Sequence, residues 1–119
     1  MKRIKLLGIM KTPAERARGL MGRKVIPDDQ AMLFLETSPR VMSCWMKNTL
    51  VPLQVAFVGP SMRIVKTARM RPLSLKSHSS DEPCLMAFEM LDGAFEHLDI
   101  CEGQSVLLDE EANELVISE

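Results

Sequence analysis

The segment LQVAFVGPSMRIVKTARM, residues 53–70, decides the fold. Its first six residues are apolar on both alternating faces apart from Gln54, which is typical of a strand covered on both sides of a sheet. The turn residues Gly59-Pro60-Ser61 follow, and residues 63–70 form a second run of strand length. The segment therefore predicts two adjacent antiparallel strands, with residues 53–58 near the centre of a sheet.

Runs of the same length recur along the whole chain, and turn residues separate them. The connections are mostly too short for parallel crossovers, and no linker or repeat divides the 119 residues. We predict a single mainly β domain over residues 1–119, an antiparallel β-sandwich or jelly-roll-like half-barrel of about eight short strands with one or two short helices. The remaining predicted strands are 3–10, 31–36, 41–47, 84–91, 105–108 and 115–118, with a loop over 71–83.

The predicted first helix follows the first strand. Residues 12–15, Thr-Pro-Ala-Glu, form a capping-box signature with Pro at the first helical position. We expect the helix to end at Leu20 or Met21, stopped by Gly22. Its predicted buried side carries Ala14, Ala17 and Met21, whereas Arg16, Arg18 and the following Arg23 face solvent or a ligand. A second short helix is expected after Asp92, its predicted cap.

The composition indicates how the core is filled. The chain has 10 Met and four Phe, with one Trp and no Tyr. Thioether side chains adapt to irregular interior spaces, so they can supply the volume that aromatic rings usually fill. We therefore expect a methionine-rich core, which makes the single Trp45 a more noticeable candidate for a site.

Charge is divided between the two ends of the chain. Residues 1–76 hold all 15 Lys and Arg and four of the 16 acids, a formal charge of +11, and residues 77–119 hold the other 12 acids, a formal charge of −12. Two interpretations follow: a basic face for an anionic ligand, or two segments that interleave and neutralise each other. We favour neutralisation, since paired strands mix distant parts of a sequence.

The cysteines and the first residues bear on location. Cys44, Cys84 and Cys101 are odd in number and form no close pair, which indicates reduced thiols rather than a disulfide framework. The basic start at residues 1–11 contains an apolar run too short for a signal peptide, and no run reaches the length of a membrane span. We expect a cytoplasmic protein with no membrane partner.

Three segments resemble a known family. They are TPAERARGLMGR at residues 12–23, MLF at 32–34 and WMKNTLVPL at 45–53. Together they resemble the bacterial and archaeal family called domain of unknown function 192, over most of the chain from residue 3 onward. The resemblance implies a small β-sandwich or jelly-roll-like domain with no established biochemical activity, in a family whose members are often secreted.

The chain departs from the family pattern at two acidic positions. Gln54 and Gln104 stand where the resemblance implies aspartates. An amide cannot exchange a proton at neutral pH, so any acid or base chemistry that depends on those carboxylates is lost here. The departures count against an enzymatic role.

A candidate site follows from the segment around the single tryptophan. Trp45 and Lys47 share one face of a predicted strand, a combination suited to an apolar ligand body with an anionic or hydroxyl group. We predict a ligand-binding site of Arg23, Trp45, Lys47, Asn48 and Glu89. The predicted function is a binding or accessory module for a small anionic or hydroxylated ligand or for a protein partner.

Two other functions stay open as alternatives. One is a hydrolase-type enzyme with a site near Lys47 and Glu89. The other is binding of an anionic polymer such as a nucleic acid through Arg63, Arg69 and Arg71, against which the scarcity of aromatic residues counts. His97 and Cys101 have a spacing that suits zinc ligands, but the sequence has no second close pair of ligands. We therefore predict no metal and no cofactor.

Overall fold

The computed structural model describes residues 1–119. It contains one sheet of seven strands and two short helices, which confirms the mainly β half-barrel. In chain order the elements are β1 (Lys2–Met10), α1 (Pro13–Arg18), β2 (Gln30–Cys44), β3 (Leu53–Val58), β4 (Ile64–Met70), β5 (His78–Leu91), α2 (Ala94–His97), β6 (Val106–Asp109) and β7 (Glu114–Ile117).

The strands lie in the order β4-β3-β5-β2-β1-β7-β6, and the sheet curls into a half-barrel. All neighbouring strands are antiparallel except β1 and β2, which run parallel. A parallel pair needs a long connection, and the 11–29 segment with α1 supplies it. Strand β3 lies between β4 and β5, one position from the edge rather than at the centre.

Both faces of the sheet are covered. On β5 the side chains of Met86, Phe88 and Met90 pack into one core, while Ala87 packs into the core on the opposite face. Strand β3 is buried at all six positions because it contributes to both cores. The second core is closed by side chains outside the strands, namely Leu20, Ile26, Met46 and Val51. Six methionines are buried: Met32, Met42, Met46, Met70, Met86 and Met90.

Several boundaries differ from the sequence prediction. Strand β2 ends at Cys44, so Trp45 and Lys47 lie beyond the strand that was predicted over 41–47 and do not share a strand face. Ser38-Pro39 was expected to be a turn between two strands, but β2 runs through it. The pairing of β2 with β5 shifts between Leu35 and Arg40, so the proline, which has no N–H to donate, lies where the ladder is irregular. The predicted 71–83 loop is also wrong at its end, because β5 begins at His78 and pairs with the end of β2. Because β2 joins the strands predicted over 31–36 and 41–47, seven strands form instead of eight.

Helix α1 begins as predicted and ends earlier. The Thr12 side chain accepts from the backbone N–H of Glu15, whose carboxylate accepts from the Thr12 N–H, so the capping box is confirmed. The helix ends at Arg18 with Gly19 as its cap, so the predicted end at Leu20 or Met21, with Gly22 as the stop, is wrong. No residue of α1 is fully buried, and the residue that points inward is Arg16 rather than Ala14 or Ala17.

The N-terminal cap of helix α2 also differs from the prediction. Gly93, not Asp92, occupies the N-cap position, and it makes no side-chain cap. The free backbone N–H groups of Gly93 and Phe95 instead donate to the side-chain oxygen of Gln54 on β3, at 3.0 and 3.1 Å. Gln54, which is distant in sequence, therefore accepts the hydrogen bonds that an N-cap side chain usually accepts.

The two charged halves of the chain meet across the sheet. Seven of the nine ion pairs join residues 1–76 to residues 77–119. Arg3 on β1, for example, pairs with Asp109 at 3.0 Å and with Glu114 at 3.1 Å. Part of the opposite charge is thus neutralised by strand pairing, and a group of basic residues remains without acidic partners.

Candidate functional site

A cavity of about 250 Å³ lies between α1 and the sheet. Its walls come from three parts of the chain: α1 with the turn after it, β2 from Phe34 to Cys44 with the following loop, and a single residue of β5. The lining side chains are Pro13, Arg16, Ala17, Arg18, Gly19, Leu20, Met21, Phe34, Glu36, Arg40, Met42, Ser43, Cys44, Trp45, Thr49 and Glu89.

Gly19 allows α1 and β2 to approach each other. Its φ of +45° and ψ of −124° suit a residue without Cβ. A Cβ at this position would lie 3.2 Å from the Phe34 ring of β2. The glycine therefore sets the width of the cavity at the point where the helix ends.

Three arginines line the cavity. The Arg16 guanidinium donates to the backbone oxygens of Lys11 and Leu35 and pairs with the Glu36 carboxylate at 3.1 Å, so it is fixed in place. Arg40 lies 3.8 Å from the same carboxylate and is largely exposed. Arg18 forms no ion pair. Arg18 and Arg40 therefore have donors to offer an incoming anion.

Glu89 is the one acidic side chain that β5 contributes to this cavity. It pairs across the sheet with Met32 on one side and Val55 on the other, and it is only 5% exposed. Burial raises the pKa of its carboxyl from 4.5 to about 8, and hydrogen bonding to the Cys44 thiol opposes that rise. At neutral pH the carboxyl is therefore mostly protonated and can both donate and accept a hydrogen bond.

The charge inside the cavity follows from these protonation states. The lining holds three arginines and two acidic residues, Glu36 and Glu89, of which Glu89 is mostly neutral. The cavity lining is thus net positive by two charges at neutral pH. Ionisation of Glu89 above about pH 8 lowers that charge by one.

Trp45 forms the outer wall and remains 47% exposed. The Lys47 ammonium lies 5.3 Å from the centre of its ring, a cation–π arrangement on the outside of the wall. Lys47 is not among the lining residues, so the structure does not bring Lys47 and Glu89 into one cavity.

The structure separates the five residues predicted as a site. Trp45 and Glu89 line the cavity, and Lys47 contacts Trp45 from outside. Asn48, at a φ of 55°, occupies the turn after Lys47, and its carbonyl accepts from the Gly22 N–H at 2.9 Å. Arg23 is exposed on the neighbouring loop and does not line the cavity.

The predicted site left out most polar side chains of the cavity lining. Arg16 and Arg18 were expected to face solvent or a ligand, and Arg40 and Cys44 were not among the site candidates. All four lie on α1 or β2, but the sequence does not show that these two elements are neighbours. The parallel pairing of β1 with β2 places α1 beside the end of β2.

Gln54 and Gln104, at the positions where the resemblance implies aspartates, have structural roles. Gln54 holds the start of α2 and donates to Glu96 at 2.9 Å. Gln104 accepts from the Cys101 N–H at 2.9 Å and donates to the Asp99 carbonyl at 2.7 Å. Both amides use their donor and acceptor groups together, which an ionised carboxylate cannot do.

The three arginines considered for an anionic polymer do not form one free stripe. Arg69 pairs with Asp92 at 3.3 Å and with Glu96. Arg63 donates to the Gly103 carbonyl at 2.8 Å, and Arg71 forms no ion pair. Of the three arginines, Arg69 is thus already paired with acidic residues of the second half of the chain.

Comparisons with known proteins agree with the fold. The chain is 33% identical to a crystallised protein of unknown function from Novosphingobium aromaticivorans, with a TM-score of 0.78 over 82% of this chain and 70% of that one. It is 30% identical to a crystallised protein from Sinorhizobium meliloti described as a "putative transcription regulator", with a TM-score of 0.77 over 80% and 74% of the two chains.

A search of curated proteins found no match. The family model DUF192, described as "Uncharacterized ACR", matches residues 2–108. This match extends over nearly the whole sheet and includes every residue that lines the cavity. The chain therefore belongs to the DUF192 family.

Proposed function

We propose that the cavity beneath α1 binds a small anionic molecule that also carries hydroxyl groups. The observation that supports this most directly is the combination of Arg18 and Arg40, which have free donors, with a buried and mostly neutral Glu89. Guanidiniums bind carboxylates and phosphates through paired hydrogen bonds. A neutral carboxyl is suited to a ligand hydroxyl, since it both donates and accepts.

The size and the apolar lining limit the ligand. A volume of about 250 Å³ equals the space of about eight water molecules, so the ligand is of small-metabolite size. Leu20, Phe34, Met42 and Trp45 offer contacts for its carbon skeleton. We infer a hydroxy acid or a sugar phosphate as the ligand class and a binding rather than a catalytic role.

Titration calorimetry with a panel of hydroxy acids and sugar phosphates, alongside uncharged sugars of the same size, tests the proposal. Binding is expected for anionic members only. The double change Arg18→Gln and Arg40→Gln should weaken it by at least about tenfold. Arg71→Gln is the matched control, because that arginine is exposed, unpaired and outside the cavity.

The pH dependence supplies a second criterion. Affinity for the anion should fall as pH rises through about 8, because Glu89 gains a negative charge. Glu89→Gln keeps a neutral hydrogen-bonding group and should bind with no such fall. If no anionic member binds, or if binding is indifferent to Arg18, Arg40 and Glu89, the proposal is wrong.

A further inference from the structure

Three loops meet at one end of the molecule. Backbone hydrogen bonds join them: the Gly22 N–H donates to the Asn48 carbonyl at 2.9 Å, the Leu73 N–H to the Thr49 carbonyl at 2.9 Å, and the Met46 N–H to the Ser74 carbonyl at 3.0 Å. Residues 22–25, 45–50 and 71–76 therefore form one continuous surface, which we call the three-loop surface.

Exposed apolar side chains are concentrated on this surface. Five of the eight large hydrophobic side chains that are exposed in the whole molecule fall within these 16 residues. Leu73 and Leu75 are 58% and 67% exposed, respectively. Such a concentration marks an interaction site, because scattered exposed apolar residues need no explanation but a cluster does. The five are Val25, Trp45, Leu50, Leu73 and Leu75.

The same surface is strongly basic. It carries Arg23, Lys24, Lys47, Arg71 and Lys76 and no acidic residue. None of these five forms an ion pair, whereas Arg3, Lys11, Lys66 and Arg69 elsewhere are paired with acids of residues 77–119. The three-loop surface thus holds five of the nine Lys and Arg residues that form no ion pair.

The arrangement fits a lipid bilayer better than a protein partner. Leu50, Leu73 and Leu75 lie in loops and line neither of the two main cavities, so these apolar side chains are exposed outside those cavities. A bilayer accepts apolar side chains at any spacing, and anionic headgroups attract lysine and arginine. Tryptophan is favoured at the interface between lipid and water.

We propose that the three-loop surface docks the protein onto anionic membranes. The leucines and Trp45 enter the interface, and the five basic residues contact the headgroups. No helix of the structure is long and apolar enough to cross a membrane, so the contact is peripheral. The expectation of no membrane partner rested on the lack of a spanning segment, which has no bearing on surface binding. The proposal does not depend on what the cavity binds.

Co-sedimentation with vesicles tests the proposal. We expect binding to vesicles that contain phosphatidylserine with phosphatidylcholine, weakening with added salt, and much less binding to phosphatidylcholine alone. Quenching of Trp45 by brominated acyl chains should show that the surface enters the interface, since this is the only tryptophan.

Matched variants identify the surface. Arg71→Gln with Lys76→Gln should lower the partition coefficient about fivefold for each charge removed. Leu73→Ser with Leu75→Ser should lower it on the order of tenfold. Leu107→Ser, 52% exposed on β6, and Lys5→Gln on β1 are controls outside the surface and should bind like the wild type. All variants change exposed side chains, and a thermal melt checks that each is folded.

Three results would overturn the proposal. The first is no binding to phosphatidylserine vesicles at low salt. The second is binding that is insensitive to Leu73 and Leu75, which would mean non-specific charge attraction. The third is binding of an acidic polypeptide such as polyglutamate in place of vesicles, which would assign the surface to a protein partner.

Discussion

Cys44 at the end of β2 and Glu89 of β5 line the same cavity, and each side chain influences the pKa of the other. Burial raises the pKa of both groups, so each is held in its neutral form at neutral pH. Where the pH favours ionisation of such an acid in the unfolded chain, keeping it neutral in the folded protein lowers the free energy of unfolding. A cavity that requires such a group gives up some stability, and function is a common reason for that cost.

Stability should decline as pH rises because of Glu89. The unfolded chain releases this proton near pH 4.5, whereas the folded protein keeps it up to about pH 8. The contribution is therefore fully present below pH 4.5 and is lost between pH 4.5 and about 8. Each pKa unit corresponds to about 1.4 kcal/mol, so the loss reaches a few kcal/mol.

Urea denaturation across that range tests the effect. Glu89→Gln should show a nearly flat free energy of unfolding and exceed the wild type at pH 8. Glu111→Gln, an exposed carboxyl without a partner, serves as the control and should follow the wild-type curve. A wild-type slope that persists in Glu89→Gln would rule out Glu89 as its source.

The three thiols should differ in reactivity. Burial raises the pKa of Cys44 well above 9.0 and raises that of Cys84, so few of these thiols are ionised at neutral pH, whereas Cys101 is exposed. Iodoacetamide should label Cys101 at least about tenfold faster than the other two. Peptide mass spectrometry measures the rates, and Cys101→Ser should leave the folded protein almost unlabelled. Labelling of half-buried Cys44 as fast as that of Cys101 would contradict the raised pKa of its thiol.

Gln54 should stabilise α2 from a distance. Gln54→Ala removes the acceptor for the Gly93 and Phe95 N–H groups, and we expect a loss of about 2 kcal/mol in the free energy of unfolding. Hydrogen exchange at those two amides should accelerate more than at the strand amides. Gln30→Ala, which breaks no side-chain hydrogen bond, is the control.

The companion change Gln54→Glu distinguishes the effect of the hydrogen-bond acceptor for α2 from the effect of a negative charge beside Glu96. It keeps an acceptor for α2 but places a carboxylate beside Glu96, with which Gln54 now bonds at 2.9 Å. We expect destabilisation at neutral pH that is relieved in acid, where the new carboxyl is protonated. An equal loss at both pH values would mean that repulsion from Glu96 is not the cause.

Alanine substitutions at Gly19 and Gly22 measure how much the close approach of α1 to β2 contributes to the free energy of unfolding. Gly19→Ala combines an unfavourable backbone with a Cβ 3.2 Å from the Phe34 ring, and should cost about 2–3 kcal/mol. Gly22→Ala, at a φ of 77°, meets no atom within 4 Å and should cost only the backbone strain of about 1 kcal/mol. Equal losses in urea denaturation would show that the Phe34 contact is easily relieved.

Features set by neighbouring residues could be predicted, and features set by distant ones could not. The capping box of Thr12 and Glu15 spans four residues and was predicted correctly. The strand through Pro39 depends on its pairing with β5, and the inward position of Arg16 depends on acceptors 19 and 20 residues away, at Leu35 and Glu36. Propensity and periodicity carry no information about such partners.

The sequence by itself determined the mainly β class, the burial of residues 53–58 and the start of α1, because alternation of apolar residues and capping act between near neighbours. Tertiary structure alone decided which charges are neutralised and which side chains share the cavity. The parallel pairing of β1 with β2 and the antiparallel pairing of β2 with β5 place Arg16, Arg18 and Arg40 in the lining of the same cavity as Glu89, which follows them by 49 to 73 positions in the chain. Burial there, rather than residue type, makes Glu89 a neutral acid.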